Sequence, residues 1–344
     1  MARVTMAMLA RELGVSKNTV SLALRHDPQI PDSTRERVQA AARRRGYTPD
    51  PVISHLMAAL RLSRTARTVH TIALLNAHRD HDAFRTHPTI PVYVAGCQRR
   101  ARQQGYATDT FWLHDPELDG PRLNRILRAR GIRGVIVIGM MDENRLPGRF
   151  AATWSRQACV VTGVRTHEPT LSFCSVDHHA LVLQAVERAL ALGYRRPGLV
   201  IDQRIDRLVE GRFSSGMWIG QQGLPPADRV APFYDVEEAR ADPGRFQAWC
   251  KRERPDVIFT LYNVVRRWIE AHGRRVPQDI GLIQLERRHD DSDWASMDQH
   301  NDRVGEAAVD MVISLLQRNE LGVPAYARAT LIGASWVAGS TVRR

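Results

Sequence analysis

Two adjacent side chains near the N-terminus, Lys17 and Asn18, carry the most specific recognition chemistry in this 344-residue chain. A lysine ammonium donates to guanine O6 and N7, and an asparagine amide pairs with adenine N6 and N7, when a helix lays them against base edges. Thr5, Ser16, Ser21 and Arg25 lie close by in sequence. Hydroxyl and guanidinium donors of this kind suit phosphate oxygens, which fix register without reading bases. Other residue types invite different chemistry. The run His78-Arg79-Asp80-His81-Asp82 with His87, and the pair His178-His179, are metal-ligating types. Their spacing matches neither an i, i+4 helical pair nor a Cys/His template, so polar loops are expected. Cys97, Cys159, Cys174 and Cys250 stand far apart, which argues against a disulfide framework or structural zinc and fits a reducing cytoplasm. Phosphate-loop, dinucleotide and nucleophile-elbow motifs are missing. Hence no catalytic residue, metal or cofactor is assigned, and a non-enzymatic role is expected.

Charge and periodicity say what must position Lys17 and Asn18. The chain carries a net charge of +12, and residues 1–68 hold twelve Lys and Arg against five Asp and Glu, more than half of that excess in a fifth of the length. A small basic module points to a polyanion. Thr5 caps a helix through Leu13, whose Met6, Leu9, Ala10 and Leu13 recur at helical spacing, and Gly14 ends it. Ser16 opens a second helix, Lys17 to about Leu24, with Val20, Ala23 and Leu24 inward. Asp32 or Ser33 opens a third, with Ser33-x-x-Glu36 as a capping box, Val38, Ala41 and Ala42 buried, and Gly46 as its stop. Two short helices joined across Gly14-Val15-Ser16 form a helix-turn-helix signature, whose second helix enters a major groove. The alternative at this point is a three-helix interaction module with Lys17 and Asn18 merely solvated.

Hydrophobic content of 43% with 25% charged residues fits a folded globular chain, and no apolar run reaches the ~20 residues of a membrane helix. No signal peptide opens the chain, so a cytoplasmic location is expected. From residue 69 onward, short apolar runs alternate with helical patterns: HTIALLNA, ATDTFWL, GVIVIGM, ACVVTGV, RPGLVI, VAPFYDV, DVIFTL and IGLIQL as strands, with helices between. Such alternation over about 270 residues predicts parallel sheets in two lobes. The expected fold is therefore an all-α helix-turn-helix head plus an α/β core of two parallel-sheet lobes. Its expected parts are residues 1–49 for the head, 50–68 for a hinge and linker, and 69–344 for the core.

The stretch from Val4 to Val52 resembles the N-terminal domain of the LacI/GalR family of bacterial transcriptional regulators. The matching landmarks are Val4-Thr5, Ala10, Gly14-Val15-Ser16, Thr19-Val20-Ser21, Thr34-Arg35, Val38, Ala41-Ala42, Gly46-Tyr47 and Pro49. The resemblance implies that Lys17, Asn18 and Leu22 read operator bases, Leu22 reaching only a thymine methyl. It also implies a hinge helix after Pro49 in which Leu56, with Ile53 beside it, wedges into the minor groove and bends the duplex. The core is similar to a periplasmic sugar-binding protein, on Asp177 ahead of the helix ending in Leu192-Gly193-Tyr194, on Pro255-Asp256, on Val276-Pro277-Gln278-Asp279-Ile280 and on Gly305-Glu306-Ala307-Ala308. Ligands of open α/β sheets sit beyond strand C-termini, so Asn76, His78, Phe84, Arg212, Asn263 and Glu286 are the candidate effector-binding residues. Here Arg212 falls four residues before Gly216, where the family places its arginine three before the glycine.

The expected partners are double-stranded, near-palindromic operator DNA, a small-molecule effector and a second copy of the chain, with no membrane. The expected function is repression modulated by the effector. An effector-independent regulator or activator, and an α/β enzyme with a DNA-binding head, are the alternatives.

Overall fold

A computed structural model describes residues 4–25, 27–47, 70–288 and 293–343. The head is built from α1 (Met6–Leu13), α2 (Lys17–Leu24) and α3 (Asp32–Arg44). Thr5 and Ser16 cap α1 and α2, accepting from the amides of Met8 (3.3 Å) and Thr19 (2.9 Å). Gly14 turns the chain between them at φ +66°, a left-handed conformation that side chains disfavour. Leu9, Val20, Ala23, Val38 and Ala41 close the three helices around a small core. The Ser33–Glu36 capping box does not form. α3 starts at Asp32, so Pro31 rather than Ser33 takes the cap position, without a side-chain bond, and Asp32 pairs with Arg35 instead (3.0 Å).

Among the described residues the core holds eleven strands: β1 (His70–Asn76), β2 (Tyr106–Trp112), β3 (Gly134–Ile138), β4 (Ala158–Thr162), β5 (Ser172–Val176), β6 (Pro197–Val200), β7 (Val257–Thr260), β8 (Gly281–Gln284), β9 (Ala295–Asp298), β10 (Ala329–Ile332) and β11 (Ser335–Val337). The first lobe has the sheet order β10-β5-β4-β3-β1-β2, parallel throughout. The second has the order β11-β9-β8-β7-β6, parallel except for β11, which runs antiparallel to β9. The stretch VAPFYDV is not a strand. Phe233 makes a single bridge to Val200, and Val230 and Phe233 cover the Phe246–Trp249 core instead.

The chain passes between the lobes three times: after β5, after β9, and between β10 and β11. The second passage sends helix Asn301–Arg318 back to cross helix Ile90–Gln103 of the first lobe. The crossing is so close that a Cβ at Gly96 would lie 2.0 Å from the Asp302 carbonyl oxygen, and one at Gly305 2.3 Å from that of Tyr93. Only hydrogen fits on either side. Arg99 then bonds Glu306 and Asp302 across the same pair (2.8 and 2.7 Å).

Candidate nucleic-acid interface and interlobe cleft

α2 presents its first turn to solvent because Val20 and Ala23 turn the opposite face into the head core. Lys17 and Asn18 are exposed. Ser16 and Thr19 share a hydroxyl contact of 2.8 Å, so the Ser16 hydroxyl both caps the helix and stands at its open end. Thr5 is exposed at the start of α1. Arg25 folds back, its Nε donating to the Ser21 carbonyl at 3.0 Å. Leu22 is half-buried against the head core, which leaves part of one methyl face outward. Ser16, Lys17 and Asn18 thus share the open end of α2, while Thr5 caps α1. Leu56 and Ile53, with the rest of the hinge, lie outside the described residues.

The six cleft candidates fall into separate places. Asn76 ends β1 buried, and its amide holds the following loop, donating to the carbonyls of Asp80 and His81 (both 3.1 Å) and accepting from the His78 amide (3.0 Å). The HRDHD run is therefore a loop knotted around Asn76. Among the described residues, no group of three or more His, Cys, Asp or Glu is placed to hold a metal ion. Phe84 packs on the first-lobe core beside this loop. His78 and His87 stand ring to ring at 5.3 Å. Burial, with the charges of His78 and Arg288, pulls His87 down to about 4.

Glu286 follows β8 and reaches the same region from the second lobe. Burial pushes its carboxyl above the usual range, against hydrogen bonds from Thr89 and Asn301 and the charge of Arg288. The Asn301 amide donates to it at 3.1 Å. Tyr93, fully enclosed beside it, is raised by burial and then by Glu286. His78, His87, Thr89, Glu286, Arg288 and Asn301 therefore form one polar group where the lobes meet. Asn263 lies apart from this group, its Oδ1 accepting from Gln284 Nε2 at 2.7 Å.

Arg212 forms the third place. It opens helix Arg212–Gly220, and only 14% of its side chain is exposed. Its guanidinium carbon lies 5.6 Å over the Phe173 ring, and neither terminal nitrogen has a hydrogen-bond partner among the described residues. Glu210 stands 3.7 Å away but is shared with Arg165 (3.4 Å) and His167 (3.6 Å) of the first lobe. Burial lowers the Arg212 pKa, and the guanidinium nevertheless remains a cation. Beside it His178 packs on Phe213 at 4.6 Å, and burial followed by the Arg212 charge drives its pKa to about 3. A buried cation without hydrogen bonds is costly, and its chemistry is completed by an acceptor. His87 and His178 carried a signal in sequence only as metal-ligand types. Thr89, Arg288 and Asn301 carried none, because each is an ordinary polar residue until the crossover places it.

Comparison with known proteins bears on both regions. Residues 5–50 match the model of bacterial regulatory proteins of the lacI family, and residues 186–342 match a periplasmic binding protein-like domain. The chain is 26% identical over 338 residues to the HTH-type transcriptional regulator PtxS of Pseudomonas plecoglossicida, covering 93% of this chain and 91% of that one. It is 21% identical to the HTH-type transcriptional regulator CelR of Thermobifida fusca, covering 82% and 81%. Among solved structures it is similar to a complex of the regulator CelR with cellobiose, with TM-score 0.59, 18% identity and coverage of 98% and 100%. The lac repressor dimer bound to operator and the anti-inducer ONPF gives TM-score 0.58, 18% identity and full coverage of both chains.

Proposed function

The chain belongs to the lacI family of bacterial regulatory proteins and is a DNA-binding transcriptional regulator, and from that premise we propose that it is a homodimeric repressor released or engaged by a small molecule in its interlobe cleft. Lys17 and Asn18 read base edges, with Leu22 against a thymine methyl, while Thr5, Ser16, Ser21 and Arg25 hold phosphates. The observation that carries this reading is the open first turn of α2, where both base-reading side chains are exposed on a helix with a satisfied cap. A two-fold dimer presents two such helices to a near-palindromic operator. Leu56 and Ile53 enter the minor groove between the half-sites.

On the core side, the effector lies between Arg212 and the Glu286 group, with Asn76, His78, Phe84 and Asn263 around it. The unsatisfied guanidinium supports this placement and calls for a ligand with an acceptor oxygen facing Arg212. Such a ligand acts by favouring one lobe arrangement over the other. No catalytic step is assigned to the core, and the reading places the protein in the cytoplasm with its DNA. Selection of genomic fragments by the full chain, followed by gel shift with and without candidate metabolites, tests the reading. One fragment retained over scrambled duplex, and released or tightened by a metabolite, is the expected result. Equal retention of every duplex overturns it.

A further inference from the structure

The first lobe carries a strongly one-sided charge on the end facing away from the cleft. In its parallel sheet the helices that lead into strands end, and those strands begin, at that end. The connecting stretches there, residues 101–109, 126–133, 155–157 and 317–328, contain seven arginines against only Asp109 and Glu320. At the cleft end of the same sheet, residues 77–89, 113–119 and 139–149 contain four arginines against seven acids. An arginine-rich composition alone would load both ends alike.

All seven arginines are exposed. Asp109 is taken by Arg130, and Glu320 by Arg318 (2.8 Å) and Arg328 (3.1 Å). Arg102, Arg128 and Arg156 have no acidic partner among the described residues. Arginine near a helix C-terminus complements the helix dipole, which would account for Arg102 and Arg128. It does not account for Arg133 or Arg328, which stand immediately ahead of strands. Tyr326, 89% exposed, rises from the same surface with a hydroxyl able to donate to phosphate.

His70, where the chain from the DNA-reading head enters the core, begins β1 at this same end, in register with Tyr106 of β2. The surplus of positive charge is therefore on the side from which the head is tethered. We propose that this face, centred on Arg102, Arg128 and Arg156, is a second DNA surface that grips backbone phosphates of the duplex held by the head. The inference rests on the head binding DNA, and adds that the core shares the load without reading sequence.

Salt dependence tests it, because each phosphate neutralised contributes roughly 0.9 to the slope of log affinity against log salt. The full chain and an Arg102→Gln/Arg128→Gln/Arg156→Gln variant are titrated by anisotropy with a mixed-sequence duplex of about 40 base pairs over about 50–200 mM salt. The slope is expected to flatten by about 2–3 in the variant, and the Lys triple variant is expected to restore it. These side chains are exposed, and matching thermal melts check that the fold is kept. An unchanged slope in the Gln variant overturns the inference and leaves an acidic protein as the occupant of the face. A wild-type chain that binds no duplex overturns the regulator reading and this inference with it.

Discussion

Asp142 of the first lobe bonds Arg204 of the second, Oδ1 to Nη1 at 3.2 Å, while its Oδ2 accepts from Arg79 Nε at 2.9 Å. The same seam is sewn by Asn144, whose amide donates to the Leu208 carbonyl at 2.9 Å, and by Glu210 facing Arg165 and His167. Leu208 itself, from the second lobe, is buried in the core of the first. The polar pairs of this seam are each modest and lie beside apolar packing shared by both lobes, so a ligand bridging the lobes adds to contacts already made.

Removing the Asp142 bridge separates closure from stability. Its side chain is 40% exposed and that of Arg204 58%, so Asp142→Ala should cost within about 1 kcal/mol in unfolding free energy. Small-angle scattering should nevertheless show a larger radius of gyration for the variant core. An identical scattering profile would show that this pair has no share in holding the lobes together.

Base reading by α2 predicts a sequence-dependent loss. Lys17→Ala should weaken binding to the selected duplex by about 1–3 kcal/mol and relax preference at one position of each half-site. Gel shifts on a panel of single-base variants measure this. The same loss on every duplex would make Lys17 a phosphate contact instead.

Arg212 predicts an opposite pair of outcomes. Replacing an imperfectly paired buried charge by an apolar residue of similar length is often stabilising, so Arg212→Met should gain about 1 kcal/mol or more. Its thermal shift with an effector, which binding to the native state otherwise produces, should vanish. A lowered melting temperature would instead make Arg212 a structural cation, tied to Phe173 and Glu210.

What was legible in the chain was what is local. Ser16, Thr19 and Val20 announce α2 within five residues, since a cap and a helical period need no distant partner. β1, β3, β4, β7 and β8, inside the sheets, announced themselves as continuous apolar runs. VAPFYDV misled because Val230 and Phe233 are apolar for a different reason, as cover for Phe246 and Trp249. β5 escaped because Ser172 and Ser175 interrupt its apolar run. Both are buried and satisfied, Ser172 by the Arg328 amide (3.0 Å) and Ser175 by the Gly163 carbonyl (2.7 Å). The Glu286 group was invisible as a group, because Thr89 meets Glu286 only after the chain has crossed between lobes. Arg212 was found by its place before a helix glycine, but its unsatisfied nitrogens are a property of burial, and no spacing reports that.

Buried histidines predict how the fold responds to acid. His178 titrates near 3 and His87 near 4 in the native state, both held neutral chiefly by burial. Unfolded, each takes a proton near its ordinary value of about 6.5. Below that pH the unfolded chain binds more protons than the native one, so stability falls as pH falls. The loss accrues at up to about 1.4 kcal/mol per unit for each histidine, until His87 protonates near pH 4 and His178 near pH 3. Glu286 opposes it, since its raised native pKa makes the folded state the better proton acceptor as its carboxyl titrates. Urea unfolding of the full chain at pH 7 and pH 5 should therefore show a clear drop in stability. His178→Phe, which keeps the packing against Phe213, should remove at least half of that drop, because His178 and His87 contribute alike over this window while Glu286 offsets part of their sum. A variant with the wild-type pH profile would show that His178 takes up its proton equally well in the native and the unfolded chain, so that neither burial nor Arg212 holds it neutral.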